Sequence, residues 1–192
     1  GSAACTFSNQ KYWVYIIGIN HNKAKEGKGI AFQGFKTAQT GGIDIAVTAT
    51  NYGSTGSGMV MNSSNSNTDG WKGSWAYTTC MAQWKNCLSS DLQAIIRITN
   101  LYTDNRGYNG ISEIEVTANS NGVYYLAEYE VFGVNKYANT NEPEQQAQYA
   151  YYKAGNSKVK YHSDNTSTAA TWWLRSSDRN TSGNFCSVGT DG

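Results

Sequence analysis

The chain has 192 residues, a formal net charge of +1 and only 15% charged residues. Near-neutral balance argues against a basic nucleic-acid binder and a polybasic membrane-surface protein. One domain over residues 1–192 is expected at this length, large enough to bury a core. The 14 Tyr, 6 Trp and 20 Gly against 1 Pro suit a β-rich exported protein with a polar recognition face. The sequence has no signal-peptide pattern and no apolar run long enough for membrane insertion. Gly1-Ser2 reads as a cloning scar, which leaves open a leader or domain upstream.

In chain order, residues 11–20 (KYWVYIIGIN) are dense in β-branched and aromatic side chains and predict a central strand. Residues 29–35 and 42–48 predict shorter strands bounded by Gly. Residues 51–70 form a Gly/Ser/Asn loop, long enough to be either functional or pinned by neighbours. Residues 71–87 show helical spacing, with Cys80, Trp84 and Cys87 on one stripe. Ser90-Asp91-Leu92-Gln93 fits a capping box for a second short helix over 91–97. Residues 103–110 read as a turn-rich loop, and 114–117 and 123–126 as short strands. Residues 128–132 read as a helical turn, and 144–153 as a helix with Pro143 near its start. Residues 158–162, 171–175 and 184–188 predict the last strands. No βαβ rhythm, internal repeat or dividing linker is present, so the expected class is α+β with antiparallel pairing, two or three helices and long polar loops.

The cysteines are Cys5, Cys80, Cys87 and Cys186. They show no CxxC spacing, and histidine is scarce, so no zinc pattern is read from them. Seven helical residues rise about 10 Å, beyond the roughly 7 Å Cα separation a disulfide allows. Cys80 and Cys87 are therefore not expected to pair. Buried free thiols are the main reading, and one disulfide from Cys5 or Cys186 is the alternative.

Nucleophilic catalysis finds little support. The histidines are His21 and His162, and no GxSxG elbow occurs. His21, just past a strand end, reads as a loop hydrogen-bonder. Glu113/Glu115 and Glu128/Glu130 are carboxylate pairs at i, i+2. On a strand they would share a face and could act as acid and base or bind a cation. The competing reading is a solvated face, or framework salt bridges to Arg97 or Arg175.

The tail is the most specific word. Trp172-Trp173-Leu174-Arg175 leads into a polar run, then Asn184-Phe185-Cys186-Ser187-Val188 and an Asp191-Gly192 turn. With Leu126-Ala127-Glu128-Tyr129-Glu130-Val131-Phe132-Gly133, the words at 149–160 and Ile16-Ile17-Gly18-Ile19-Asn20-His21, it resembles a bacterial domain of unknown function carrying a WWLRSP signature. That resemblance implies a C-type-lectin-like fold, shared with formylglycine-generating enzymes and with the variable proteins of diversity-generating retroelements. This chain departs from the pattern at Ser177, where the family has Pro. The family also runs past the Asp-Gly turn to a closing strand, so the fold is expected to be cut at its end or completed from outside.

The resemblance makes Trp172, Trp173, Leu174, Arg175 and Phe185 framework, with Arg175 as a buried or half-buried pairing residue. Adjacent strand residues face opposite sides, so at least one of the two Trp should be core. No catalytic residue carries over, because Cys186 has no second cysteine near it in sequence to complete a copper-binding pair. Calcium-dependent sugar binding is a minor expectation. Glu142-Pro143-Glu144 half matches the Glu-Pro-Asn ligand word of sugar-binding lectins, the Trp-Asn-Asp word is absent, and Asp104-Asn105-Arg106-Gly107 puts Arg where a ligand loop needs oxygen. No other cofactor is expected.

The expected binding face comprises Ser176, Ser177, Asp178, Arg179, Asn180, Thr181, Ser182, Asn184, Ser187 and Thr190. Polar side chains there suit adaptable hydrogen bonding while the flanking rings supply stiffness. The leading expectation is a non-enzymatic module that binds protein or glycan, displayed at a cell surface, extracellularly or on a phage-like particle, and diversified by a retroelement. The alternatives are an enzyme of the formylglycine-generating branch using Cys186 or a Glu pair, and a structural domain of a larger adhesin.

Overall fold

The computed structural model describes residues 13–36, 45–46, 60–86, 88–105, 115–119, 122–162 and 167–192. Cys5, Cys87, Glu113, Arg106 and Gly107 lie outside them, as do residues 51–59 of the polar loop and most of the strand predicted over 42–48. The class is α+β, with short strand pairs and few helices. β1 (Trp13–Ile19) pairs antiparallel with β2 (Ile30–Lys36). β4 (Thr99–Thr103) pairs antiparallel with β5 (Glu115–Asn119), and β8 (Trp172–Ser177) with β9 (Phe185–Val188). β6 (Lys160–His162) pairs antiparallel with β7 (Ala169–Ala170) but parallel with β3 (Ile45–Ala46). That last pair departs from the all-antiparallel expectation. No helix among the described residues is long and apolar enough to cross a membrane.

Several predicted elements shift. β1 is not central: among the described residues β2 is its only strand partner, and Val14, Ile16 and Ile19 are exposed while Ile17 is buried. Its apolar density covers two faces, of which one packs. The helix predicted over 71–87 divides into α2 (Gly70–Gly73), a π-turn (Ala76–Cys80) and α3 (Met81–Asn86). Ser74 makes the break. It takes an extended backbone, and its Oγ donates to the Trp71 carbonyl at 2.8 Å and accepts from the Tyr77 N–H at 3.1 Å. A local side-chain bond replaces the helical one. α4 (Ser90–Ile95) is capped by Ser89, one residue before the predicted box, and Ile95 faces solvent.

The predicted 144–153 helix is two pieces, a 3₁₀ turn (Glu142–Glu144) and α6 (Ala150–Lys153). Between them the chain spends its hydrogen bonds elsewhere: Gln146 Nε2 donates to the Tyr102 carbonyl, and the Tyr149 N–H to the Glu130 carbonyl. β4 and α1 (Lys23–Glu26) have no counterpart in the sequence reading. Residues 123–126, predicted as a strand, run without strand pairing. α5 (Glu128–Phe132) forms where the helical turn was predicted and ends at Gly133, whose φ of 71° suits only a residue without Cβ.

Two apolar clusters fill the interior, and β8–β9 contributes to both. Trp172, Leu174, Cys186 and Val188 join Ile17, Val131 and the rings of Tyr149, Tyr151 and Tyr152 in the first. Phe185 joins Trp71, Met61, Cys80 and Met81 in the second, with Trp173 packed against it. The two adjacent tryptophans thus serve opposite faces of one strand, as pleating requires.

Candidate functional site

The register of β8 explains its chemistry. Trp173 pairs with Ser187 and Ser177 with Phe185, so four steps on β8 oppose two on β9. A bulge of this kind re-aims side chains, and Leu174, Arg175, Ser176 and Ser177 are all buried instead of alternating. Arg175 is turned into the interior with no exposed surface. Its two terminal nitrogens grip Glu130, Nη2 to Oε1 at 2.6 Å and Nη1 to Oε2 at 2.7 Å. Nη1 also donates to the Tyr125 carbonyl, and the Arg175 N–H to the Leu126 carbonyl. Burial alone would lower the guanidinium pKa. The charge and hydrogen bonds of Glu130, with smaller contributions from Tyr149 and Glu142, together outweigh burial and raise it, so the charge is permanent.

Two more buried carboxylates extend this seam. Glu128 accepts the N–H groups of Lys136, Tyr137 and Ala138. Glu142 accepts from Thr103 Oγ1, the Asp104 N–H and Ser176 Oγ. Ser176 Oγ in turn accepts the Glu128 N–H. Burial pushes the Glu142 carboxyl up, against the pull of these bonds. Wholly enclosed and engaged by these three donors, with Asn135 Nδ2 a fourth at 3.5 Å, Glu142 is not placed to reach a surface calcium ion. Glu128 and Glu130 hold the framework together and do not present a solvent-facing acid–base pair.

A third group lies beside the seam. His21 follows β1, Glu26 ends α1 and Glu130 sits in α5; one donor atom from each lies within 4.8 Å of the others. His21 is not the loop hydrogen-bonder expected from sequence. Its ring stacks on Tyr149 at 3.6 Å and 13°, and its Nε2 is enclosed without a hydrogen bond. Gly18 permits this stack, since a Cβ there would stand 3.0 Å from Tyr149 Cδ1 and 3.3 Å from His21 Cβ. Burial lowers the His21 pKa, favouring neutral imidazole. Burial and then the Glu130 charge push Glu26 up to about 8. Tyr149 shares a 2.9 Å hydroxyl contact with Tyr124, whose pKa burial pushes up to about 12.

The outward counterpart is the loop joining β8 to β9. Asn67 is buried and its Nδ2 lies 3.0, 2.8 and 2.7 Å from the carbonyl oxygens of Asp178, Thr181 and Asn184. Its backbone N–H donates to the Ser182 carbonyl, and the Arg179 N–H donates to Tyr137. The Asn65 side chain packs on Gly183 and would have to move for a Cβ there. Asn180, Thr181, Ser182, Asn184, Ser187 and Thr190 are exposed, while Asp178 and Arg179 are half-buried. Ser176 and Ser177 stand apart from these, enclosed beneath the bulge. Cys186 is buried, a free thiol raised well above its ordinary pKa by burial first and nearby carboxylates next. Such a thiol stays protonated and is a poor nucleophile. Cys80 is also buried.

Sequence reasoning did not find Asn67, His21 or Glu26 as members of these groups. Their partners lie far away in the chain, and no spacing motif marks them.

Residues 44–192 match the family described as Domain of unknown function DUF6273. The chain belongs to that family, whose match includes both the seam and the loop but leaves β1, α1 and β2 outside. No curated protein and no solved structure matches the chain.

Proposed function

We propose that this protein is a non-enzymatic ligand-binding module of C-type-lectin-like fold. It presents residues 178–182, with Asn184, Ser187 and Thr190, to a protein or glycan. One observation carries the reading: Asn67 clamps three carbonyls of the loop from beneath, so its backbone is held while Asn180, Thr181, Ser182 and Asn184 point outward. A pre-ordered loop with free polar side chains spends little conformational entropy on binding. The same division suits a diversified variable protein displayed on a cell surface or phage-like particle, since the exposed side chains of Asn180, Ser182 and Asn184 can change without touching the bonds Asn67 makes to the loop backbone. Ser176 and Ser177 drop out of the face, and Trp172, Trp173, Leu174, Arg175 and Phe185 serve as its support.

Sequencing the 3′ end of the gene across a population and its sister copies tests the diversification. Substitutions concentrated at 178–182, 184, 187 and 190, with residues 172–177 unchanged, are expected; even variation would overturn it. A glycan array and a panel of purified surface proteins test the binding itself. Any signal should disappear in an Arg179→Ala/Asn180→Ala double variant that keeps the parent's circular dichroism.

A further inference from the structure

We propose that His21, Glu26 and Glu130 form a binding site for one divalent transition cation, with zinc as the best-matched ion. The donor set is one imidazole nitrogen and two carboxylates. Calcium and magnesium prefer all-oxygen shells, whereas a mixed nitrogen and oxygen set suits zinc and its first-row neighbours. Donor atoms within 4.8 Å of one another need modest contraction to reach a zinc shell. Bonds of about 2.1 Å in tetrahedral geometry put ligand atoms about 3.4 Å apart.

Lone-pair accounting leaves room on each ligand. Glu130 Oε2 takes two donors, Arg175 Nη1 and the Ala127 N–H, while Oε1 takes only Arg175 Nη2. One lone pair of Oε1 is therefore uncommitted. Among the described residues the Glu26 carboxylate receives one hydrogen bond, a long one of 3.3 Å from Asn22 Nδ2. His21 Nε2 accepts nothing, and the imidazole is neutral as a ligand must be.

The surroundings supply what outer partners of a metal site supply. Arg175 and the Ala127 N–H fix the Glu130 carboxylate, and the Tyr149 ring fixes the plane of His21. Glu26 and Glu130 meet here beside two guanidinium groups, Arg175 committed to the Glu130 carboxylate and Arg97 to the Glu26 carbonyl. A dication displaces the proton of Glu26, offsets the charge of both carboxylates and engages the enclosed His21 nitrogen. Glu130 and Glu26 are buried while His21 is only half-buried, so the ion enters from the His21 side. With three protein ligands, water completes the shell.

The test uses the full chain stripped with chelator and titrated with Zn²⁺ by calorimetry, then with Co²⁺ followed by visible absorption. One equivalent of Zn²⁺ with a raised Tm is expected. Glu26→Gln and His21→Phe should each weaken it by more than about tenfold, and His162→Ala should leave it unchanged. Both site variants keep the Arg175–Glu130 pair, and His21→Phe keeps a ring on Tyr149; should it unfold, His21→Asn replaces it. Absence of saturable binding overturns the proposal. So does binding that either site variant leaves intact, or a cobalt-thiolate charge-transfer band, which would place the ion on cysteine.

Discussion

The seam under β8 and the loop beyond it are neighbours in sequence and opposites in chemistry. In the seam, side chains do the bonding: Arg175, Glu130, Glu128, Glu142 and Ser176 are buried and hydrogen-bonded to one another or to backbone. In the loop, the bonds serve the backbone: Asn67 holds three carbonyls and the Asp178 carboxylate accepts the Asn180 N–H and, at 3.4 Å, Thr181 Oγ1, while the side chains of Asn180, Ser182 and Asn184 are exposed. A committed side chain cannot change without orphaning a buried partner, whereas an uncommitted one can. The change from one regime to the other follows the β8 bulge, which ends at Ser177.

The largest effect should come from cutting the seam. Arg175→Ala leaves Glu130 buried and unpaired, which costs about 3–5 kcal/mol. Chemical denaturation followed by circular dichroism should show a protein mostly unfolded or melting far below the parent. Retained stability would show that the two regions do not differ as described.

Glu26 gives the next effect, read against pH in chelator. Its folded pKa is about 8 against an ordinary 4.5, so the folded state holds the proton more tightly than the unfolded one. Its stabilising contribution is complete below pH 4.5 and is lost as pH rises through about 8. The loss is on the order of 3 kcal/mol after discounting for residual exposure. Glu26→Gln cannot ionise and should flatten this part of the stability profile. A profile that keeps its slope in the variant would remove Glu26 from the group.

Asn67→Ala should cost about 2 kcal/mol, because carbonyls it served lose their donor. The more telling readout is hydrogen exchange. The Asp178 N–H, bonded to the Asn184 carbonyl, and the Arg179 N–H, bonded to Tyr137, should exchange faster while the α5 amides do not. Equal acceleration in both regions would mean that the loop is no separate unit.

Smallest of all should be Asn180→Ala with Ser187→Ala. Stability should stay within about 0.5 kcal/mol of the parent, while binding to any array hit falls. Destabilisation beyond that would place these side chains in the framework.

Much of the framework was legible in sequence. Strand-rich apolar words located β1, β2, β8 and β9, because β-branched and aromatic runs have little else to form. Strand alternation predicted that at least one of the two adjacent Trp is core, and both pack, on opposite faces. Helix limits were less legible, since Ser74 and Gln146 divert backbone bonds to partners that sequence spacing does not reveal. β4 went unread because its burial depends on packing against distant segments.

Composition and local pattern by themselves determined the α+β class and its short antiparallel strand pairs; that α5 and the tail are framework was what the family resemblance implied. The class and the pairs follow from rules acting over a few residues. Tertiary structure alone decided that Ser176 and Ser177 lie inside, that Glu130 belongs to Arg175, that Asn67 holds the loop, and that His21 and Glu26 meet Glu130. Each depends on a bulge or on contacts between segments far apart in the chain, where distance in sequence carries no information about distance in space.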